Sequence, residues 1–312
     1  MRNRIATLLL FFCALAGVSL ADEAAATQAA RSRAAASIVR NNRDAVIHVS
    51  AVLSVEAGAT GMPGRKQEQK IETVGTIVDP SGLTVVSLVT LDPSSMMGEK
   101  TSISIGGQTI EITIRADLSN IRMWLPDGTD IPAKLVLKDP DLDLAFVLPE
   151  KQEGKKLPRF SAVQPGKAPV LRELDDVITL SRLPKAINRE TYVELDQVSG
   201  IVRKPRTFYC CALESAPPFL LGSPAFSRNG SLAGFWLIHK GPSSQASGLQ
   251  GLLAMARTGP VVLPCADVMD VARQALKNPA GQSPQKTEDP KPESKDKPAE
   301  SGKTEDSKTP ER

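Results

Sequence analysis

The sequence has little histidine and few aromatic residues, and both scarcities exclude kinds of site. The two histidines are His48 and His239. Neither lies near a Cys-x-x-Cys pair or a second histidine, so metal-ligand spacing is missing and neither a metal nor a cofactor is predicted. Aromatic residues make up 4% of the chain, and the first one beyond the N-terminal region is Trp124. So few rings argue against a platform that stacks nucleic-acid bases.

The chain also has little net charge and no second long apolar run. A net charge of +3 does not indicate binding to nucleic acid or to an acidic membrane. The one long apolar run, Ile5–Leu20, has 16 residues and follows Arg2 and Arg4. A spanning helix needs about 20 residues, so the run predicts a signal peptide over 1–21, cleaved before Asp22 on export to a secreted or periplasmic location. An uncleaved membrane anchor is the alternative. No other membrane span is expected.

Three cysteines remain beyond the leader: Cys210, Cys211 and Cys265. An odd number cannot form a complete disulfide framework. Adjacent Cys210 and Cys211 are poorly placed to bond to each other, because the backbone would have to distort. A bridge from either to Cys265 stays open as an alternative to three free thiols.

Short apolar segments separated by turn signals predict an all-β fold. The predicted strands are 45–49, 74–78, 83–91, 121–125, 131–137, 142–148, 177–180, 197–202, 207–213 and 232–238. Turn signals recur about every 8–15 residues, which is typical of a sandwich or a pair of barrels. The predicted units are an N-terminal arm (22–36), a first barrel (37–150), a second barrel with a C-terminal helix (151–277) and a tail (278–312).

The C-terminal region combines one clear helix with a segment that lacks core residues. Apolar residues recur from Val268 at i+3, i+4, i+7 and i+8, which predicts a helix over 267–277 that packs on the second barrel. Residues 279–312 contain no Leu, Ile, Val or aromatic residue. Such a segment cannot offset the entropy of ordering, so a disordered tail is expected, with a tether to a cell wall or partner as the alternative role.

Four motifs in a fixed order carry a resemblance to a known family. They are 73–82 (TVGTIVDPSG), 125–133 with 139–147 (LPDGTDIPA and DPDLDLAFV), 197–202 (QVSGIV), and 221–226 with 229–234 (LGSPAF and NGSLAG). Each is weak alone, but their order resembles the trypsin-like serine proteases of the HtrA type. The resemblance covers about residues 37–277. It implies two antiparallel six-stranded β-barrels plus a C-terminal helix.

Of the three positions that the resemblance assigns to the catalytic triad, only one carries a suitable side chain. Asp143 matches the catalytic aspartate, whereas Val89 falls at the histidine position and Leu221 at the serine position. A valine supplies no base and a leucine no nucleophile, so proteolysis is not expected. Asp143, with no imidazole to orient, is expected to make ordinary backbone hydrogen bonds. The resemblance then implies a protein that binds an extended polypeptide or an envelope partner in a cleft at Leu220, Leu221, Gly222 and Ser223.

Two other functions stay open. An active endopeptidase could use Ser223 as a displaced nucleophile, although its base would have to be His48 or His239, which are both expected to be structural. A purely structural envelope protein is the third possible function.

Two family features are not expected: a PDZ domain after the helix, and a trimer held by aromatic residues in the arm. The oligomeric state is left open. Segment 92–120 is longer than its family counterpart and predicts an extra hairpin around Gly106-Gly107.

Overall fold

A computed structural model describes residues 25–59, 64–96, 100–105, 108–211, 216–239 and 259–278. The proposed signal peptide, and all of the proposed tail except its first residue, lie outside these ranges. Among the described residues, no helix is long and apolar enough to cross a membrane.

Helix α1 covers residues 25–42 and includes part of the predicted arm. Its Ala35 and Ile38 belong to the same buried cluster as Ile178 and Phe226.

The first seven strands form an antiparallel sheet that closes into a barrel. They are β1 (Val46–Ala59), β2 (Arg65–Ile77), β3 (Thr84–Ser87), β4 (Lys100–Ile105), β5 (Gln108–Trp124), β6 (Asp130–Asp139) and β7 (Leu144–Pro149). Their order is β1-β2-β3-β7-β6-β5-β4, and β1 also pairs with β5. Six strands therefore close the first barrel, and β4 extends it as the outer half of the predicted hairpin.

Strand β1 is buried on both of its faces along its first six residues. Ile47, Val49 and Ala51 point into the barrel core. Val46 belongs to the cluster of the second sheet, and the His48 ring reaches the Leu183 carbonyl there. The alternating side chains of this strand thus contribute to both halves of the molecule.

The second half is also a seven-stranded antiparallel sheet, and it curls back on itself. Its strands are β8 (Asp176–Arg182), β9 (Thr191–Gln197), β10 (Gly200–Val202), β11 (Phe208–Cys210), β12 (Pro224–Ser227), β13 (Leu232–Ile238) and β14 (Pro260–Pro264). The order is β10-β11-β14-β13-β12-β8-β9. Only Val198 and Ser199 separate the two end strands, so the chain itself joins the ends of the sheet.

The C-terminal helix, α3, follows β14 directly and spans Cys265–Lys277. Val268, Val271, Ala272 and Ala275 are buried in the cluster of the second sheet, whereas Leu276 is 38% exposed at the edge of the predicted apolar face. The predicted fold class, mostly β with one C-terminal helix, is confirmed.

Two predicted strands differ from the structure for identifiable reasons. The strand predicted over 83–91 ends at Ser87 in the structure. Residues Leu88–Leu91 form the short helix α2 instead. The segment 197–202 is interrupted at Val198, whose N–H donates to the Asp175 carbonyl instead of continuing a strand ladder. Interactions with residues far along the chain decide both local conformations, so the apolar pattern alone could not predict them.

Candidate functional site

Asp143 lies in the connection between β6 and β7 and holds the start of helix α2. Its φ of +58° is in the left-handed region, which aspartate tolerates better than most residues. Its carbonyl oxygen accepts the Leu88 N–H at 2.9 Å, and its Oδ1 accepts the Val89 N–H at 2.7 Å. The first N–H groups of a helix lack internal partners, and a carboxylate there is favourable. The structure therefore brings together Val89 and Asp143, two of the positions that the resemblance matches to the catalytic triad.

The other carboxylate oxygen of Asp143 connects the two halves of the molecule. Its Oδ2 accepts the Ser87 hydroxyl at 2.6 Å and the Ile238 N–H, from β13 of the second sheet, at 2.8 Å. The residue is fully buried. A buried carboxylate is tolerated only where hydrogen bonds replace water, and these donors supply them. Backbone N–H groups are thus among its partners, as the sequence predicted.

Leu221 follows a single 3-10 turn, Pro218–Leu220. The N–H groups of residues 220–223 donate over 2.8–3.2 Å to the carbonyls of Pro217, Pro218, Trp236 and Leu220, in chain order. An oxyanion hole needs N–H donors aimed at the place that a substrate oxygen will occupy. These four amides point to carbonyls of the protein and cannot serve that purpose without rearrangement.

Gly222 places this loop directly against the first barrel. Its φ is +86°, and a Cβ built on it would lie 2.3 Å from the Val74 carbonyl oxygen. The Gly222 carbonyl also accepts the Thr76 hydroxyl at 2.7 Å. Only glycine fits this backbone conformation and this approach without strain.

Ser223, the alternative nucleophile, is fully buried in a chain of hydroxyl groups. Its Oγ donates to Ser181 Oγ at 2.7 Å, and that hydroxyl donates to the Phe219 carbonyl at 2.6 Å. The neighbour of Ser223 is therefore another alcohol, which does not act as a base. An activated serine needs an imidazole or an amine in this place.

Both histidines have partners elsewhere. The His48 ring is 3% exposed in β1, and its Nε2 donates to the Leu183 carbonyl at 3.0 Å. The His239 ring lies against the Phe208 ring with 4.3 Å between their centroids. Burial lowers the pKa of each imidazole below its ordinary value, so both rings are mainly neutral at neutral pH. Among the described residues, no hydrogen bond joins either ring to Ser223.

A cleft of about 620 Å³ lies between the two halves, and its lining residues Thr90 and Phe219 are close in sequence to Val89 and Leu221. Its walls come from β1, β2 and α2 on one side and from two loops of the second sheet on the other. The lining residues are His48, Glu72, Thr73, Val74, Thr90, Pro184, Lys185, Ala186, Pro218 and Phe219. The surface is mostly hydrocarbon. Pro218 and Phe219 line it, whereas the predicted cleft residues Leu220 and Ser223 are fully buried and Leu221 is 7% exposed.

The polar end of this cleft was not predicted from the sequence. Glu72 accepts two hydrogen bonds from the Arg189 guanidinium, at 3.1 Å and 2.8 Å, and Arg189 also lies over the Trp124 ring, 4.8 Å from its centroid. Nearby Arg182 donates to the carbonyls of Val46 and Arg43. The hydrogen-bonded partners lie more than a hundred residues apart along the chain, and no local motif links them.

The described residues contain no cluster of three or more His, Cys, Asp or Glu side chains that could hold a metal ion. Cys210, Cys211 and Cys265 are free thiols. Burial raises the pKa of Cys211 to about 12 and that of Cys265 to about 11, so neither is a reactive thiolate at neutral pH.

No protein-family model matches the sequence, and no curated protein matches it. Similar solved structures include a serine-to-alanine form of the HtrA-type protease AlgW with a tripeptide, at 16% identity and a TM-score of 0.48. The match covers 78% of this chain and 64% of that one. The same protease with a decapeptide matches at 15% identity and a TM-score of 0.49, covering 78% and 67%. The chain thus spans about two thirds of the length of these proteases.

Proposed function

We propose that the protein is a non-catalytic homologue of the trypsin-like serine proteases that binds an extended polypeptide in the cleft between its two halves. The hydrogen bonding of Asp143 is the main support. Its carboxylate accepts the Val89 N–H, the Ser87 hydroxyl and the Ile238 N–H. The family's imidazole would stand on Val89, which has only a hydrocarbon side chain.

The chemistry of peptide hydrolysis supports the loss of catalysis. A serine hydroxyl attacks a carbonyl only when a neighbouring base takes its proton. Loss of either the serine or the histidine costs on the order of a million-fold in turnover in a well-characterised protease. Here both positions carry aliphatic residues, Val89 and Leu221, and the Leu221 N–H is bonded to Pro218 at 3.2 Å. Nucleophile, base and oxyanion donor would all have to be rebuilt.

Binding requires none of these groups. An extended polypeptide can bind through main-chain hydrogen bonds and through side chains placed in pockets. The cleft of about 620 Å³ falls in the size range of ligand sites, which are typically apolar with a few polar groups. We place this activity outside the cytoplasm, because residues 1–21 have the composition of a signal peptide.

Fluorescein-labelled casein tests binding and cleavage in one experiment, because it is an unfolded polypeptide and a general protease substrate. We expect its fluorescence anisotropy to rise with protein concentration while its length on a gel stays unchanged. Ala186→Trp should weaken binding at least tenfold, because Ala186 lines the cleft and is exposed at its rim. Ile187→Trp is the matched control, since Ile187 is 55% exposed and is not a lining residue.

Three results would contradict the proposal. Cleavage of the casein would indicate an active endopeptidase. Failure of the wild-type chain to bind would favour a purely structural protein. Equal affinities for Ala186→Trp and wild type would place binding outside the cleft.

A further inference from the structure

Two hydrogen-bond acceptors face each other at the polar end of the cleft. His48 Nδ1 lies 3.3 Å from Glu72 Oε1, at an angle that makes no hydrogen bond. The Nε2 atom carries the ring proton, because its partner is the Leu183 carbonyl, which can only accept. A neutral ring therefore has a lone pair at Nδ1, and this buried atom has no hydrogen-bond partner among the described residues.

A buried acceptor without a donor is unfavourable, and a second acceptor beside it adds repulsion. The Glu72 carboxylate, with a side chain 21% exposed, is the more accessible of the pair, while His48 is 3% exposed. A ligand N–H or O–H that donates to Glu72 Oε1, which already accepts the Arg189 Nε–H, would lower the repulsion between the two acceptors. These two acceptors therefore favour a ligand group that donates a hydrogen bond.

The charges around the pair select a neutral donor over a cation. Arg189 already neutralises the Glu72 carboxylate with two hydrogen bonds. Lys185 lines the same cleft, and Arg182 is close enough to lower the pKa of His48 further. A ligand ammonium would meet three cations of the protein and one carboxylate that is already paired.

The remaining walls select an apolar body for the ligand. Val74, Pro184, Ala186, Pro218 and Phe219 present hydrocarbon or an aromatic ring. Aromatic side chains that carry a polar atom match this combination, because they bury a large apolar surface and direct one donor at a partner.

We propose that the cleft receives a tyrosine or tryptophan side chain, whose O–H or N–H donates to Glu72 Oε1, next to His48 Nδ1. This specificity rests on the proposed binding function, since it names the residue of the bound polypeptide that occupies the cleft. The ring would lie among Val74, Pro184 and Phe219.

Small amides of single amino acids test the pocket separately from the polypeptide. N-acetyl-tyrosinamide and N-acetyl-phenylalaninamide, which differ only by the hydroxyl group, are titrated into the full isotope-labelled chain and followed by NMR. We expect the tyrosine amide to bind at least tenfold more tightly, because a hydrogen bond to a charged group is stronger than one between neutral groups. Resonances of the His48 ring and of the Ala186 amide should shift with the same dissociation constant.

Two variants and a control show whether the preference for tyrosine arises in this cleft. Glu72→Gln places an amide donor beside His48 Nδ1, so the preference for tyrosine over phenylalanine should fall to less than threefold. Ala186→Trp should abolish the shifts caused by either amide, whereas Ile187→Trp should leave them unchanged. Since Ala186 and Ile187 are both exposed loop residues, this second pair tests the pocket even if Glu72→Gln does not fold.

The failures of this inference and of the proposed function look different. Equal affinities for the two amides, with casein still bound in the cleft, would overturn the aromatic-donor specificity and leave the binding function. A tenfold preference for the tyrosine amide without casein binding would support the pocket and contradict the polypeptide ligand. Shifts confined to residues outside the cleft would overturn the assignment of the pocket.

Discussion

The Asp143 carboxylate of the first barrel accepts a hydrogen bond from the Ile238 N–H of the second sheet, with 2.8 Å between Oδ2 and N. In a protease of the family that the sequence resembles, the equivalent aspartate orients the catalytic imidazole. Here the same carboxylate holds the first turn of α2 and connects the two halves. A structural role of this kind explains how a fully buried charge is tolerated beside Val89.

Asp143→Asn tests this structural role. Asparagine keeps the size and the tolerance for positive φ, but it replaces one charged acceptor with an amide that faces N–H donors. We expect the free energy of unfolding to fall by about 3 kcal/mol in urea denaturation. Asp141→Asn, in the same connection but exposed, should change it by less than about 0.5 kcal/mol. An equal effect of both changes would contradict the role assigned to Asp143.

Gly222→Ala tests the close approach of the 220–223 loop to the first barrel. The new Cβ would lie 2.3 Å from the Val74 carbonyl oxygen, so backbone has to move in addition to the strain at φ +86°. Gly230→Ala is the matched control, because its φ is +85° and its Cβ would meet nothing within 4 Å. The control should lose about 1 kcal/mol, the cost of left-handed backbone strain. The free energy of unfolding, measured by thermal or urea denaturation, should fall by at least about 2 kcal/mol more for Gly222→Ala than for the control. Equal losses would contradict the packing described.

The sequence predicted the fold class, the C-terminal helix, β13 and the 92–120 hairpin because each depends on local periodicity or turn residues. It missed β9, β12 and β14. The short segments of β12 and β14 begin at prolines and lack a clear alternation.

The polar end of the cleft could not be predicted from the sequence at all. His48, Glu72 and Arg189 come from two strands and a distant loop, and none lies in a recognisable motif. Burial of His48 in β1 depends on the packing of the second sheet against that strand. Such packing is set by the whole fold and leaves no signal in a local window.

Stability should depend on pH through His48. Its pKa is lowered in the folded protein, chiefly by burial, whereas the unfolded chain has the ordinary value of about 6.5. Between these two values the unfolded state binds more protons, so the free energy of unfolding falls as pH falls below about 6.5 and levels off below the folded pKa. His239 contributes in the same direction.

Urea unfolding at several pH values between 5 and 8 measures this dependence. The loss should amount to about 1.4 kcal/mol for each unit by which the pKa is lowered. His48→Gln should reduce the slope below pH 6.5, and His239→Gln should reduce it separately. A wild-type protein that becomes more stable as the pH falls from 6.5 to 5 would contradict the neutral, buried state of His48.

Placing a histidine at position 89 and a serine at position 221 should not produce a protease. The double variant Val89→His with Leu221→Ser supplies a base and a hydroxyl, but the N–H of residue 221 donates to Pro218 and that of 222 to Trp236. Loss of an oxyanion donor costs about 10²–10³-fold in turnover. We expect at most trace cleavage of fluorescein-labelled casein, with Val89→His alone as the control. Turnover comparable to that of trypsin would contradict the arrangement described for residues 220–223.

The proposed lack of serine hydrolase activity is tested most directly by a fluorophosphonate probe with mass-spectrometric mapping of every serine. The full chain is incubated with excess probe under conditions that label trypsin completely. We predict no adduct on any serine, including Ser223. An adduct on Ser223 that disappears in Ser223→Ala would contradict the account.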